Sequence, residues 1–196
     1  MVEGTVPPVP QGIRPTPKPT DAPLPRIAVK LVPRNVDYEH NLGHMGVMWR
    51  IGSTVIFRGF RFRLIDLPKE YRAPSRWRDY LFKNRIAGYV ANDIILQDAL
   101  CRIPAKVWCV HWDVETQSVE KIAIAAATGR RGWYSFNPDD YPNCHNCVTW
   151  TTLVVNEVFL GEVLPSVPNG RMKRAIEMLL QAGAHPSLCD IGDLGC

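Results

Sequence analysis

The chain has 196 residues, 46% of them hydrophobic, and a net charge of +4. That length suits one domain of ordinary size with flanking segments, able to build a core without disulfide staples. No run of about 18 apolar residues occurs, so no membrane span is expected. The opening MVEGTVPPVP lacks the basic-then-apolar pattern of a secretory signal. The six cysteines are therefore expected to stay reduced and the chain to be cytoplasmic, with non-classical secretion left open.

Residues 1–26 hold Pro7, Pro8, Pro10, Pro15, Pro17, Pro19, Pro23 and Pro25. Proline lacks the backbone donor of regular structure, so this stretch is expected to be a disordered, extended tail. Ile27 to Val32 is expected as a first strand. His44 to Ile51 alternates and ends at Gly52-Ser53, and Thr54 to Ile65 follows, rich in β-branched and aromatic residues. The pattern is a hairpin, with Gly46 leaving room beside His44 and Gly59 marking a bulge.

Arg58 to Arg85 contains nine basic residues against Asp66, Glu70 and Asp79, with Tyr71, Trp77 and Tyr80 interleaved. Such an excess draws an acidic surface, or is simply a solvated basic face. No nucleic-acid motif accompanies it, so no specific nucleic-acid partner is expected. Pro74 to Leu100 is expected to be helical in places. Val107 to Val114 and Ile122 to Thr128 are expected as a strand pair around Glu115 to Ser118.

The turn-rich Ser135 to Pro142 leads into Asn143-Cys-His-Asn-Cys-Val-Thr-Trp150. Cys147, Trp150, Val154 and Val158 fall on one helical stripe, with Asn146 as N-cap and Gly161 as terminator. Unpaired N–H groups in a first helical turn favour a thiolate and can stabilise an oxyanion. Cys147 is thus the candidate nucleophile, and His44 the candidate base for a Cys–His pair. Asn143-Cys144 is a competing but weaker pattern, lying before the helix.

The early His44-Met-Gly-Val47 and the late Asn146-Cys-Val-Thr-Trp150 together resemble circularly permuted papain-like enzymes. These include lecithin:retinol acyltransferase-like proteins and PPPDE-type peptidases. The resemblance spans roughly residues 36–161 and implies an α+β fold, an antiparallel sheet packed on the helix that carries the nucleophile. It implies His44 as base, Cys147 as nucleophile, no cofactor and no metal, and a protein or lipid acyl substrate. That family sets a third polar residue on the strand after the histidine. Here that strand offers arginines instead, so the orienting group is sought among His111, Asp113 and Asp93, with His111 preferred.

Two other classes compete. Cys144-x-x-Cys147 with Cys109-x-His111 has zinc-ligand spacing, and His111-Trp-Asp113 with Pro142-Asn-Cys144-x-x-Cys147 is a partial likeness to zinc deaminases. A non-catalytic interaction module is the other. Residues 166–196 change character: Arg171 to Ala182 is an amphipathic helix, and Ala175 to Leu188, continued by Cys189-Asp190 and Gly192, resembles half of one ankyrin repeat. One repeat cannot bury its own face. Either the chain is a fragment ending where an array begins, or this helix packs on the main domain, residues 27–165.

Overall fold

A computed structural model describes residues 24–33, 43–73, 76–127, 132–161, 163–186 and 189. Most of the Pro-rich tail, and Leu188, Asp190 and Gly192 of the ankyrin-like stretch, lie outside the described residues. The architecture is mixed α+β. Seven strands form one sheet: β1 (Arg26–Val32), β2 (His44–Ile51), β3 (Thr54–Phe62), β4 (Ile86–Asn92), β5 (Trp108–Asp113), β6 (Trp133–Tyr134) and β7 (Cys144–His145). Their order is β5-β1-β2-β3-β4-β6-β7, antiparallel throughout except for the parallel pair β6–β7. The helices are α1 (Trp77–Lys83), α2 (Ile94–Arg102), α3 (Thr116–Ala127), α4 (Cys147–Phe159) and α5 (Met172–Gln181).

The alternation of β1 and β2 feeds two cores rather than one. Ile27, Val29 and Leu31 with Met45, Val47 and Trp49 pack against Val119 and Ile122 of α3 and Trp150 and Val154 of α4. The opposite side chains, Ala28, Val32 and Met48, join Phe57 under Leu96, Ala99 and Leu100 of α2. A sheet covered on both faces needs no polar face, which is why β2 is buried along most of its length. Among the described residues no helix is long and apolar enough to cross a membrane.

The hairpin forms as its pattern requires, turning at Gly52 with φ +56°. Gly59 marks no bulge. It pairs with Ala91 inside an unbroken register from Arg58–Asn92 to Phe62–Gly88. The stretch from Pro74 to Leu100 is not only helical, because β4 lies between α1 and α2. Gly88 weakens the strand signal of β4, yet a Cβ there would strike the Phe60 ring. Thr128 lies outside the described residues, and in place of the second strand expected over Ile122 to Thr128 the described residues to Ala127 are the end of α3. Val119, Ile122 and Ala126 are its buried residues, on the three-to-four-residue spacing of a helix face, and the alanines carry helix propensity.

The segment after residue 165 belongs to the same body. Ala175, Met178 and Leu179 of α5 lie in the core shared by β1, β2 and α4. Beyond α5 the chain returns to the sheet edge, where the His185 N–H donates to Cys109 O at 3.0 Å. Cys109 and Cys189 are joined by a disulfide, with Cα atoms 5.4 Å apart. Cys101 is also disulfide-bonded. The expectation that all six cysteines stay reduced is corrected: the packing of α5 against β5 brings together two positions 80 residues apart. Cys144 and Cys147 are the free cysteines among the described residues.

Candidate active site

Asn146 sets the start of α4. Its side chain accepts from the Val148 and Thr149 amides at 3.0 and 3.1 Å. The Thr149 hydroxyl accepts from the Asn146 amide at 3.0 Å, closing a capping box. The Asn146 amide group donates to Asn169 O at 2.9 Å, and Gly170 at φ +54° leaves the space a side chain would take from Asn146. The cap thus fixes Cys147 as the first helical residue, buried at 7% exposure. The expected stripe follows: Trp150, Val154 and Val158 are all buried. The helix ends one residue earlier than Gly161 suggests. Leu160 takes the left-handed conformation at φ 52°, and the Gly161 amide donates back to Asn156 O.

His44 opens β2. Its Nε2 lies 2.6 Å from Asp93 Oδ2, and the Cys147 side chain is close enough to the ring to help raise its pKa. A residue on an early strand and the first residue of a late helix therefore meet. Asp93 is the N-cap of α2, fully buried, and its Oδ1 accepts from the Leu96 amide at 3.3 Å and from Arg61 Nη2 at 2.7 Å. Two glycines make room for this carboxylate. A Cβ at Gly46 or at Gly59 would collide with Asp93 Oδ2.

The electrostatics follow from this packing. Burial disfavours the charged imidazole, but the charge and hydrogen bond of Asp93, with the nearby Cys147, overcome it and raise His44 to about 10. Burial likewise pushes the Asp93 carboxyl up, and the His44 and Arg61 charges more than reverse this, holding it below the ordinary carboxylate range. Cys144 sits on β7, where burial pushes its thiol up to about 11 despite a backbone hydrogen bond and Arg85. Burial lifts the Tyr134 phenol well above its usual value, with the Cys147 sulfur adding and Arg61 opposing.

The preferred orienting residue, His111, is not at this centre. It lies opposite Ala28 on β1, and Ala28 lies opposite Met48 on β2. Two strand spacings and four residues separate it from His44, about 16 Å. Asp113 stands further along the same strand, paired with Arg26 at 2.9 Å. Asp93 occupies the third position because the α2 start, not a strand, delivers it. A readable signal existed: an Asp directly before Ile94-Ile95-Leu96 is a helix-cap pattern, and Gly46 and Gly59 mark crowding around it. Arg61 had no sequence signal beyond its place in a basic stretch.

The zinc set does not assemble. Cys109 is in a disulfide, and among the described residues no group of three or more His, Cys, Asp or Glu side chains could hold a metal. The basic stretch is no single charged face either. Arg61 turns to Asp93, Arg72 donates to Leu67 O and Ile65 O, Arg63 pairs with Asp66, and Arg85 lies between the Trp133 and Tyr141 rings. No protein-family model, curated protein or solved structure matches this chain.

Proposed function

We propose that the chain is a cysteine-dependent acyl-transfer enzyme acting through a thioester, as a peptidase, amidase or acyltransferase, on a permuted papain-like plan. The observation that carries this reading is the His44 ring held between the Asp93 carboxylate and the Cys147 side chain at the start of α4. With Nε2 on Asp93, Nδ1 is the ring nitrogen left for the sulfur. Cys147 Sγ, its proton already on the His44 ring, attacks the acyl carbon as the thiolate, and the C–N or C–O bond of the substrate breaks. A ring raised to about 10 holds a proton at neutral pH, and this proton passes to the leaving group. Water or an acceptor hydroxyl or amine then takes the acyl group from sulfur and returns a proton to the ring.

The cap narrows the choice of oxyanion donor. Asn146 already occupies the Val148 and Thr149 amides, so the donor from α4 is the amide of Cys147 itself. Cys147 rather than Cys144 is the nucleophile, because it contacts the imidazole while burial holds Cys144 protonated. The substrate is a protein or lipid acyl group, and the Arg58 to Arg85 stretch contributes contacts to an acidic surface. The Cys109–Cys189 disulfide favours a compartment oxidising enough to keep that bond formed.

The test is a panel of thiol-directed activity probes on the wild type, Cys147→Ala, His44→Ala and Cys144→Ala, with circular dichroism as the fold control. Labelling lost in the first two variants and kept in the third supports the assignment. Labelling that survives Cys147→Ala and disappears in Cys144→Ala moves the nucleophile. Wild-type cysteines no faster than a free thiol end the catalytic reading.

A further inference from the structure

Arg61 follows Phe60, whose ring stacks on Trp150 of α4 at a centroid distance of 6.1 Å. Strand alternation turns Arg61 to the other face of the sheet, and there it meets the Asp93 carboxylate at 2.7 Å. Its side chain is 22% exposed and that of Asp93 is 0%. The fit has a cost. Arg61 Nε is buried with no hydrogen-bond partner among the described residues, a loss of about 1–3 kcal/mol for a buried unsatisfied donor.

We propose that Arg61 is a positioning residue of the Cys147–His44 centre, acting through Asp93 by fixing which carboxylate oxygen faces the imidazole. The inference rests on the cysteine reading above. Asp93 has two oxygens and three partners on two sides. With Arg61 Nη2 and the Leu96 amide on Oδ1, Oδ2 is left to His44 alone. The carboxylate cannot rotate to share Oδ1 with the ring without breaking a charge-assisted bond. The ring is held in turn at the angle that presents its other nitrogen to the sulfur. Arg61 also adds to the larger effect of His44 in keeping Asp93 anionic where it is wholly desolvated, so the acid limit of the centre depends in part on this arginine. Other ionisable groups lie on this face and across the ring. Among the described residues they are Lys30 of β1 over the Phe57 ring, Tyr89 of β4 opposite Arg61 and beneath Arg63, further along the strands Arg26, Arg50, His111 and Asp113, then Cys147 of α4 and Tyr134 of β6, and along α2 the exposed pair Asp98–Arg102.

The experiment follows the His44 ring N–H by proton NMR against pH, beside the pH dependence of Cys147 alkylation, in the wild type, Arg61→Met and Arg61→Lys. In Arg61→Met the downfield N–H signal of the Asp93-bonded ring should vanish at a higher pH on the acid side than in the wild type. The acid limit of alkylation should move the same way, with its maximal rate lower by on the order of tenfold to a hundredfold. Arg61→Lys keeps the charge and loses the planar head, so its acid limit should stay near the wild type while its rate falls. If Arg61→Met does not fold, Arg61→Lys decides alone. An unchanged N–H profile in Arg61→Met, or wild-type alkylation rates in Arg61→Lys, overturns the proposal. The NMR arm stands apart from catalysis. Slow, unselective alkylation in the wild type with an Arg61-dependent N–H signal would defeat the cysteine reading and leave the Arg61–Asp93–His44 linkage intact.

Discussion

His44, Asp93 and Arg61 form a buried row of alternating charge, and its consequences for pH can be signed. His44 at about 10 lies above the ~6.5 of an unfolded chain. It therefore contributes stability that is full below pH ~6.5 and is lost as pH rises through about 10. Asp93, held low, contributes above its ordinary value of ~3.9 and loses that contribution as pH falls through its lowered one. In Asp93→Asn the larger influence raising His44 is gone, only Cys147 still opposes burial, and the ring's pKa falls. The stability advantage of the wild type over Asp93→Asn is thus expected to shrink as pH rises through about 10, as urea unfolding across pH ~5 to 11 would show. A constant gap would mean that His44 is not charged in the fold. At this scale the sequence marked His44 and Cys147 because each has a local signature, an alternating strand with glycine and a capped apolar helix. Asp93 was one of three candidates, since the strand-to-helix junction that carries it gave no clue to which strand it would face.

At the scale of elements, α4 is the part most fully written in its own residues, and both of its ends can be tested. Asn146→Ala removes two bonds to first-turn amides and the bond to Asn169 O. A loss of about 2 kcal/mol is expected, read from the midpoint shift in urea at unchanged slope. At the other end Leu160 sits in the left-handed region at φ 52° and is 85% exposed. Leu160→Gly relieves the steric strain and gives up almost no burial, so it should stabilise the fold by about 1 kcal/mol. A destabilisation would mean that Leu160 packs on something in solution. The elements misjudged from sequence were β4 and the second half of α3. In β4 a glycine required by the Phe60 ring dilutes the pattern. In α3 the run of Ile and Ala fits either period until the packing against α4 is known.

Across the whole molecule, the edge of the sheet is where distant parts of the chain converge. The Cys109–Cys189 bond closes a loop of 80 residues, for which loop-closure entropy predicts a contribution of about 4.5 kcal/mol. Cys189→Ser should lower the unfolding free energy by roughly that amount, and reduction under native conditions, which also breaks the bond at Cys101, by at least as much. Thiol titration of the unfolded, unreduced chain should still find Cys144 and Cys147 free. Equal stability with and without reductant would show that α5 holds the edge by packing alone. The ankyrin-like character of Ala175 to Leu188 falls within this account. Helix α5 has an apolar face that some surface must cover, and Ala175, Met178 and Leu179 are covered by the core of the sheet and α4.

The sequence by itself determined the local chemistry: a capped helix opening on Cys147, a hairpin opening on His44, and an α+β composition. These are properties of periods, caps and turns, which depend on residues a few positions apart. Only the tertiary structure decided which groups meet. Asp93 reaches His44 across 49 residues, Arg61 reaches Asp93 across 32, and Cys189 reaches Cys109 across 80. Each depends on strand order and on the face that a helix covers. Strand alternation places a side chain on one of two faces but does not say which helix lies over that face. That assignment emerges from burial of the two apolar cores together.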